Sequence, residues 1–515
     1  MRLSVVGFLM CLSVLGVSTV NAQDSAIAAR MTGEALQWSA ENGRLRQAMQ
    51  SFPKGGDLHS HLRGAVYAES WLEWAAEDGL CADMKNLALM FMQKDTCEES
   101  GWITAREARA DETMRRELIN SMSTRSYVPT LNWSGHNDFF STFEKINARP
   151  SRLGDELAEV AERAGHQNVL YLELMETLVL PELIPLVRDV KLTGDVEADY
   201  KTLMDSRFGM QVSRLVKSVQ AQLTEANVRK NKLLGCDMNS GAIGCDVEIR
   251  FLHQVIREFD PKMVYAQIIL GWAVMDSVPG VVGLNLVAPE DGYIALRDYS
   301  LHMRMIDYLY RNHGEHNISL HAGELALGLV RPKELRFHIR EAIEIGHAKR
   351  IGHGVDIAYE DKSEELVRKM AADKIMVEIN LTSNDTILGV KGADHPIVLY
   401  RDLDVPYALS TDDEGVSRID LTHEYMRFYT DYKVPYFEMK HASRNSLTYS
   451  FLPGGSLWES QECVADISQK GNASEACKLF LDSSKKAQLQ WRLEENFQRY
   501  EATLRIKERK TTSFK

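Results

Sequence analysis

Short apolar runs alternate with longer helix-patterned stretches along most of this chain, and that alternation restricts the fold more than any other feature. The strand candidates are Asp57–Leu62, Val169–Leu174, Val264–Leu270, Val281–Val287, Ile318–His321, Arg350–His353, Ile375–Leu381 and Tyr407–Ser410. Between them lie helix-like segments such as Pro332–Ile345 and Ser363–Ala372, the latter with apolar residues at Leu366, Val367 and Met370. Eight buried-looking strands separated by helices form the pattern of an α/β (β/α)8 barrel. A doubly wound open sheet is the alternative, but no G-x-G-x-x-G follows the first strand. The gaps from Val66 to Asn168 and from Thr177 to Lys262 predict long helical insertions after strands one and two. Met84–Met92, MKNLALMFM, reads as a helix packed on the barrel or as part of a substrate lid.

Composition fits a large folded body. With 515 residues, 44% hydrophobic and 26% charged, the chain is neither disordered, nor collagenous, nor a small disulfide scaffold. A net charge of -13 argues against nucleic acid or an anionic membrane as the main partner.

The first residues read as an address. Arg2, the apolar run Leu3–Val20 and the small-residue site Val20-Asn21-Ala22 predict a secretory signal over 1–22. Serines, glycines and a threonine inside the run weaken the alternative of an uncleaved anchor. Residues 23–515 are then a single domain, and no other stretch is apolar enough to span a membrane. Of seven cysteines, Cys11 lies in the signal and the other six form three sequence-local pairs. An even count in an exported chain predicts the disulfides Cys81–Cys97, Cys236–Cys245 and Cys463–Cys477. None has C-x-x-C spacing, which argues against a cysteine zinc site. Sequons occur at Asn132, Asn317, Asn380 and Asn472, but Asn317 borders one predicted strand and Asn380 lies inside another, so they do not establish a glycosylating pathway; a bacterial periplasm is the expected compartment, with an extracellular location as the alternative.

Polar residues at the strand ends carry the chemistry. In Asp57-Leu58-His59-Ser60-His61 the two histidines are two apart and face the same way in a strand. Buried together, they call for a cation, and zinc is the usual one. Strand five ends in Ser319-Leu320-His321-Ala322-Gly323-Glu324, strand six in Gly352-His353-Gly354, and strand eight in Ser410-Thr411-Asp412-Asp413. Alone, His353 is an ordinary loop histidine and Asp413 a helix cap. Together these groups occupy the C-terminal strand ends, where barrel enzymes place their sites.

With these motifs in order, the chain resembles the adenosine deaminase family of the zinc amidohydrolase superfamily. The resemblance rests on PKGGDLHSHLRGA, SLHAGE, RIGHG, EINLTSND, DHPI and LSTDDE, and spans roughly Pro53 to Pro453. It implies that His59, His61, His321 and Asp412 hold one Zn2+ per chain. It also implies that Glu324 protonates purine N1, that His353 and Asp412 steer the attacking water, and that Asp413 holds N7. Zinc can lower the pKa of bound water to ~7, which suits attack at C6 and loss of ammonia. The fourth strand lacks the lysine that binuclear relatives place at its end, consistent with one metal.

Three positions depart from the family pattern. Arg63 stands where many members have the aspartate that contacts the ribose 5′-hydroxyl; it either tolerates a 5′-phosphate or turns to an acidic neighbour. Ala288 stands where a family glycine presents its N–H to purine N3, and Glu414 replaces a proline. The expected activity is hydrolytic deamination of adenosine and 2′-deoxyadenosine to inosine and 2′-deoxyinosine. The alternatives are deamination of adenine, a modified adenosine or an adenine nucleotide, or an exported nucleoside-binding, growth-factor-like protein. The expected partner is a small-molecule purine nucleoside, with no nucleic acid and no membrane after signal cleavage. Binding alone needs no general acid, so Glu324 with His353 argues for an enzyme.

Overall fold

In the computed structural model, eight parallel strands form the centre: β1 (Gly55–His61), β2 (Val169–Glu176), β3 (Glu248–Ile256), β4 (Val281–Val287), β5 (Ser319–Ala322), β6 (Arg350–His353), β7 (Met376–Ile379) and β8 (Tyr407–Leu409). The structure describes residues 42–512 apart from 94, 95, 148, 239, 240, 470 and 471; the signal assigned to 1–22 lies outside them. β1 to β4 pair in chain order, as do β5 to β8. Both seams between these two sheets are bridged. Leu284 N–H donates to Asn317 O at 3.2 Å, and Ser60 pairs with Asp412, where His61 N–H donates to Asp412 O at 3.1 Å. The eight strands therefore close into a ring, and the nearly unbroken burial of all but β3 fits strands covered on both faces.

The insertions differ from the expected all-helical pieces. The first, between β1 and β2, holds short helices and an antiparallel sheet of Leu80–Asp83, Ala88–Gln93 and Ile103–Thr104. Met84–Met92 is thus a turn and a strand, not a helix. The Asp83 carboxylate accepts the N–H groups of Lys85 and Asn86, which fixes the turn before a helix can start. The same insertion carries α1 (Gly135–Ser141) toward the mouth of the ring. The second insertion holds α2 (Arg207–Leu234) and ends before Glu248, because the third strand sits earlier than the apolar pattern indicates.

That strand is the main correction. Val264–Leu270 lies inside α3 (Pro261–Ser277), which Pro261 opens and the Asp260 side chain caps through Lys262 N–H. α3 is buried on nearly every side, so its apolar run has no helical stripe and mimics a strand. β3 hides in the sequence because Arg250, His253 and Gln254 interrupt it, and Gln254 does so by facing the site. Pro332–Ile345 contains only a single turn of helix at Glu334–Arg336 and then α4 (His338–Glu344).

All three expected disulfides are present, with Cα–Cα separations of 5.5, 5.6 and 4.9 Å for Cys81–Cys97, Cys236–Cys245 and Cys463–Cys477. Each lies outside the ring of strands. Among the described residues no helix is long and apolar enough to cross a membrane.

Candidate active site

Three imidazoles converge at the C-terminal end of the ring, each tethered through Nδ1. His59 Nδ1 lies 2.6 Å from Glu378 Oε2, His61 Nδ1 lies 3.0 Å from Gln254 Oε1, and His321 Nδ1 lies 2.8 Å from Asn285 Oδ1. With Nδ1 engaged, the Nε2 atoms face one another. His61 Nε2 is 3.2 Å from His321 Nε2 and 3.3 Å from Asp412 Oδ1, while His59 Nε2 is 3.6 Å from that same oxygen. Ser383 Oγ donates to the other Asp412 oxygen at 2.6 Å.

This donor set fits a small tetrahedral cation. Metal bonds of ~2.0–2.1 Å give a tetrahedron with edges of roughly 3.3 Å. The buried His59 Nε2 has no hydrogen-bond partner, and the four ligand atoms lie within 4.8 Å of one another. Burial pushes the Glu378 carboxyl up, but Arg350 and His59 outweigh it and hold it down at about 2. It therefore stays an anion and fixes the His59 tautomer.

The backbone presenting these groups is strained. Asp412, His353 and Ala288 have φ of 61°, 68° and 83°, in the left-handed region that non-glycine residues rarely occupy. Each such residue costs on the order of 1–3 kcal/mol and persists where its surroundings hold it. At Ala288 this conformation accounts for a glycine in the related pattern.

Glu324 is buried, and burial, then the nearby Asp412 and Glu290 charges, push its carboxyl well above the usual range. Asp413 is pushed well above it as well, first by burial; the His61 charge opposes this and Asp412 adds to it. Its Oδ1 is buried without a hydrogen-bond partner. In both, burial favours the protonated carboxyl, the form that can donate a proton or a hydrogen bond. His353 behaves in the opposite way. Burial pushes its imidazole down to about 4 despite Asp412, so the ring is neutral. Asn384 Oδ1 meets His353 Nδ1 at 2.9 Å, and Asn384 Nδ2 reaches His395 Nε2 at 2.8 Å. His353 Nε2 is left unpaired, 3.9 Å from Asp412 Oδ2.

A cavity of about 390 Å³ opens over these groups, within the range of small-molecule sites. His61, His321, Glu324, Asp412, Asp413 and Ala288 line its polar side; Phe139, Phe140, Phe143 and Glu144, in α1 and just after it, face them. No arginine or lysine among the described residues lines it. Arg63 is exposed outside the cavity, and its charge falls on Glu156 and Glu176. Glu414 also points elsewhere, accepting from Arg163 at 2.7 and 2.9 Å.

Of the expected site residues, His61, His321, Glu324, Asp412, Asp413 and Ala288 line the cavity, His59 and His353 lie buried behind it beside Asp412, and Arg63 stands apart. Sequence reasoning missed Asn285, Glu378 and Ser383. It also missed the aromatic wall, whose signal was the spacing of Phe139 and Phe143.

A family model described as adenosine deaminase matches residues 208–464. An adenosine deaminase of Clostridium perfringens (strain 13 / Type A) is 32% identical over 401 residues, covering 77% of this chain and 93% of that protein. Among solved structures, an amidohydrolase from Burkholderia ambifaria with bound Zn has a TM-score of 0.51 at 17% identity, covering 79% of this chain and 88% of that one. The N6-mAMP deaminase of Arabidopsis has a TM-score of 0.50 at 20% identity, covering 79% and 95%. At these identities the structural likeness concerns the fold.

Proposed function

The chain belongs to the adenosine deaminase family, and on that premise we propose that it deaminates adenosine and 2′-deoxyadenosine hydrolytically, with one Zn2+ held by His59, His61, His321 and Asp412. The observation that carries the substrate assignment is the cavity lining. It offers two buried carboxyl groups and an aromatic wall but, among the described residues, no lysine or arginine, and Glu144 adds a carboxyl to the lining. A purine has a π-face for the phenylalanines and ring nitrogens that accept from acids. A 5′-phosphate would meet no partner there and a repelling carboxylate.

The roles follow from protonation state. Glu324, a neutral acid, donates its proton to N1 and makes C6 electrophilic. Asp413, also neutral, donates a hydrogen bond to N7, which is an acceptor. The Ala288 N–H is the donor for N3. When bound, zinc supplies the Lewis acidity that makes water nucleophilic near neutral pH. His353, neutral and unpaired at Nε2, accepts a proton from the attacking water, and Asp412 Oδ2 stands on the same side. Addition of water at C6 makes that carbon tetrahedral; the proton taken up by His353 passes to the amino group, the C6–N bond breaks to release ammonia, and the C6 hydroxyl proton restores the Glu324 carboxyl, leaving the 6-oxo purine.

The three local disulfides and the leader-like run Leu3–Val20 support an exported, periplasmic enzyme. The functional test measures ammonia release from adenosine, 2′-deoxyadenosine, adenosine 5′-phosphate and adenine by the zinc-loaded protein. Turnover of the two nucleosides well above the other compounds is expected. Preference for the nucleotide or the free base would contradict the assignment.

A further inference from the structure

Behind the wall that presents Glu324 lies a carboxylate that the reaction itself never touches. Glu290 sits in the loop after β4, two residues beyond Ala288, and is fully buried. Its Oε1 accepts Gly323 N–H at 3.0 Å and its Oε2 accepts Glu324 N–H at 2.8 Å. His338, the first residue of α4, meets Oε1 through Nδ1 at 2.6 Å. The His338 ring stacks on Tyr299 at 3.7 Å, and the Tyr299 hydroxyl donates to His338 O at 2.7 Å. One carboxylate thus joins three segments, and two of its bonds go to the peptide N–H groups on either side of the Gly323 α-carbon, the second of them on Glu324 itself.

The peptide has little freedom to settle elsewhere. Gly323 has φ +79°, and a β-carbon there would fall 2.5 Å from Asp356 Oδ1. On the other side, Arg257 donates to Ala288 O at 2.9 Å and to His321 O at 3.1 Å, tying the same two loops. Burial pushes the Glu290 carboxyl up, but His338, Arg257 and the Gly323 amide outweigh it and hold it below the usual glutamate range. Glu290 is therefore an anion, the state in which both oxygens accept.

We propose that Glu290, oriented by His338, is a positioning residue: it fixes the Gly323–Glu324 peptide so that the Glu324 carboxyl meets purine N1. The proposal rests on the assignment of Glu324 as the proton donor of the deaminase reading. A displacement of about 1 Å in such a group can cost on the order of a hundredfold in rate. Glutamine at 290 keeps the shape but has a single acceptor oxygen for two N–H groups and a ring donor. Phenylalanine at 338 keeps a ring against Tyr299 and removes the donor.

The test compares Glu290→Gln and His338→Phe with the wild type, each with and without Glu324→Gln, measuring kcat and KM for adenosine and bound zinc. If Glu290 acts through Glu324, Glu290→Gln lowers kcat about 10- to 100-fold with KM within about twofold and zinc retained. In the Glu324→Gln background the same change then costs less than about twofold, because the group being positioned is gone. His338→Phe gives a smaller loss with the same dependence on background, and it carries the test alone if Glu290→Gln does not fold. Equal losses in both backgrounds, or unchanged kcat in both variants, overturn the assignment while leaving the deaminase reading standing. A zinc-loaded wild type that deaminates no adenine compound overturns the deaminase reading and this proposal with it.

Discussion

Gly64 approaches Asp413 so closely that a β-carbon on it would fall 1.5 Å from Asp413 Oδ1. The turn after β1 therefore forms one wall of the space in which the Asp413 carboxyl sits, and only a residue without a side chain fits there. Gly64→Ala should displace that carboxyl from the purine-facing position. The expected result is a loss of kcat/KM for adenosine of roughly 10- to 100-fold, with zinc content unchanged. Wild-type kcat/KM in a folded Gly64→Ala protein would separate Asp413 from substrate binding.

Arg63 offers a second test. It is exposed outside the cavity and its charge serves Glu156 and Glu176. Arg63→Ala should leave the preference for adenosine over adenosine 5′-phosphate unchanged within about threefold, as expected for a charge beyond direct contact. A specific loss of nucleotide turnover in Arg63→Ala would place this side chain at the substrate after all.

The same pair predicts a pH dependence of stability. Burial pushes the Glu156 carboxyl up, and the Glu176 charge adds to this; burial likewise pushes Glu176 up, and Arg63 opposes both. A carboxyl raised on folding contributes stability that is full below its unfolded pKa and is lost as pH rises through its folded pKa. Relative to wild type, a Glu156→Gln/Glu176→Gln variant should therefore gain thermal stability as the pH is raised from acidic to alkaline. Parallel melting curves across that range would contradict the shifted pair.

These relationships also mark where sequence reading succeeded and where it ended. His59, His61, His321, His353, Asp412 and Asp413 were legible because each sits within a few residues of a strand end, so a short motif fixes both its identity and its place. Glu290 and Glu378 were not, because their partners lie 33 and 319 positions away and only the closed ring brings them together. β3 was missed for a related reason. Gln254 is polar because it faces the site and His253 because it bonds Gln267 O of α3 on the other face, which breaks the apolar run, whereas α3 is apolar all round because other elements cover it. Asp83 overrode the helical look of Met84–Met92 with two local hydrogen bonds.

The disulfides sit outside the ring, so their loss should separate stability from chemistry. A loop of 15 residues is worth about 3 kcal/mol in the chain-entropy account. Reduction should lower the melting temperature markedly while zinc content and turnover in the cold persist. Loss of zinc on reduction, below the melting transition, would tie the bridges to the metal site.

The most direct test measures metal content and ammonia release together for the wild type, Glu324→Gln and His59→Ala. The wild type should bind one zinc per chain and release ammonia from adenosine. Glu324→Gln should keep its zinc and lose turnover by on the order of a hundred- to ten-thousand-fold, the usual worth of a general acid. His59→Ala should lose both. Full turnover in zinc-loaded Glu324→Gln would contradict the account at its centre, because the proton for N1 would then come from elsewhere.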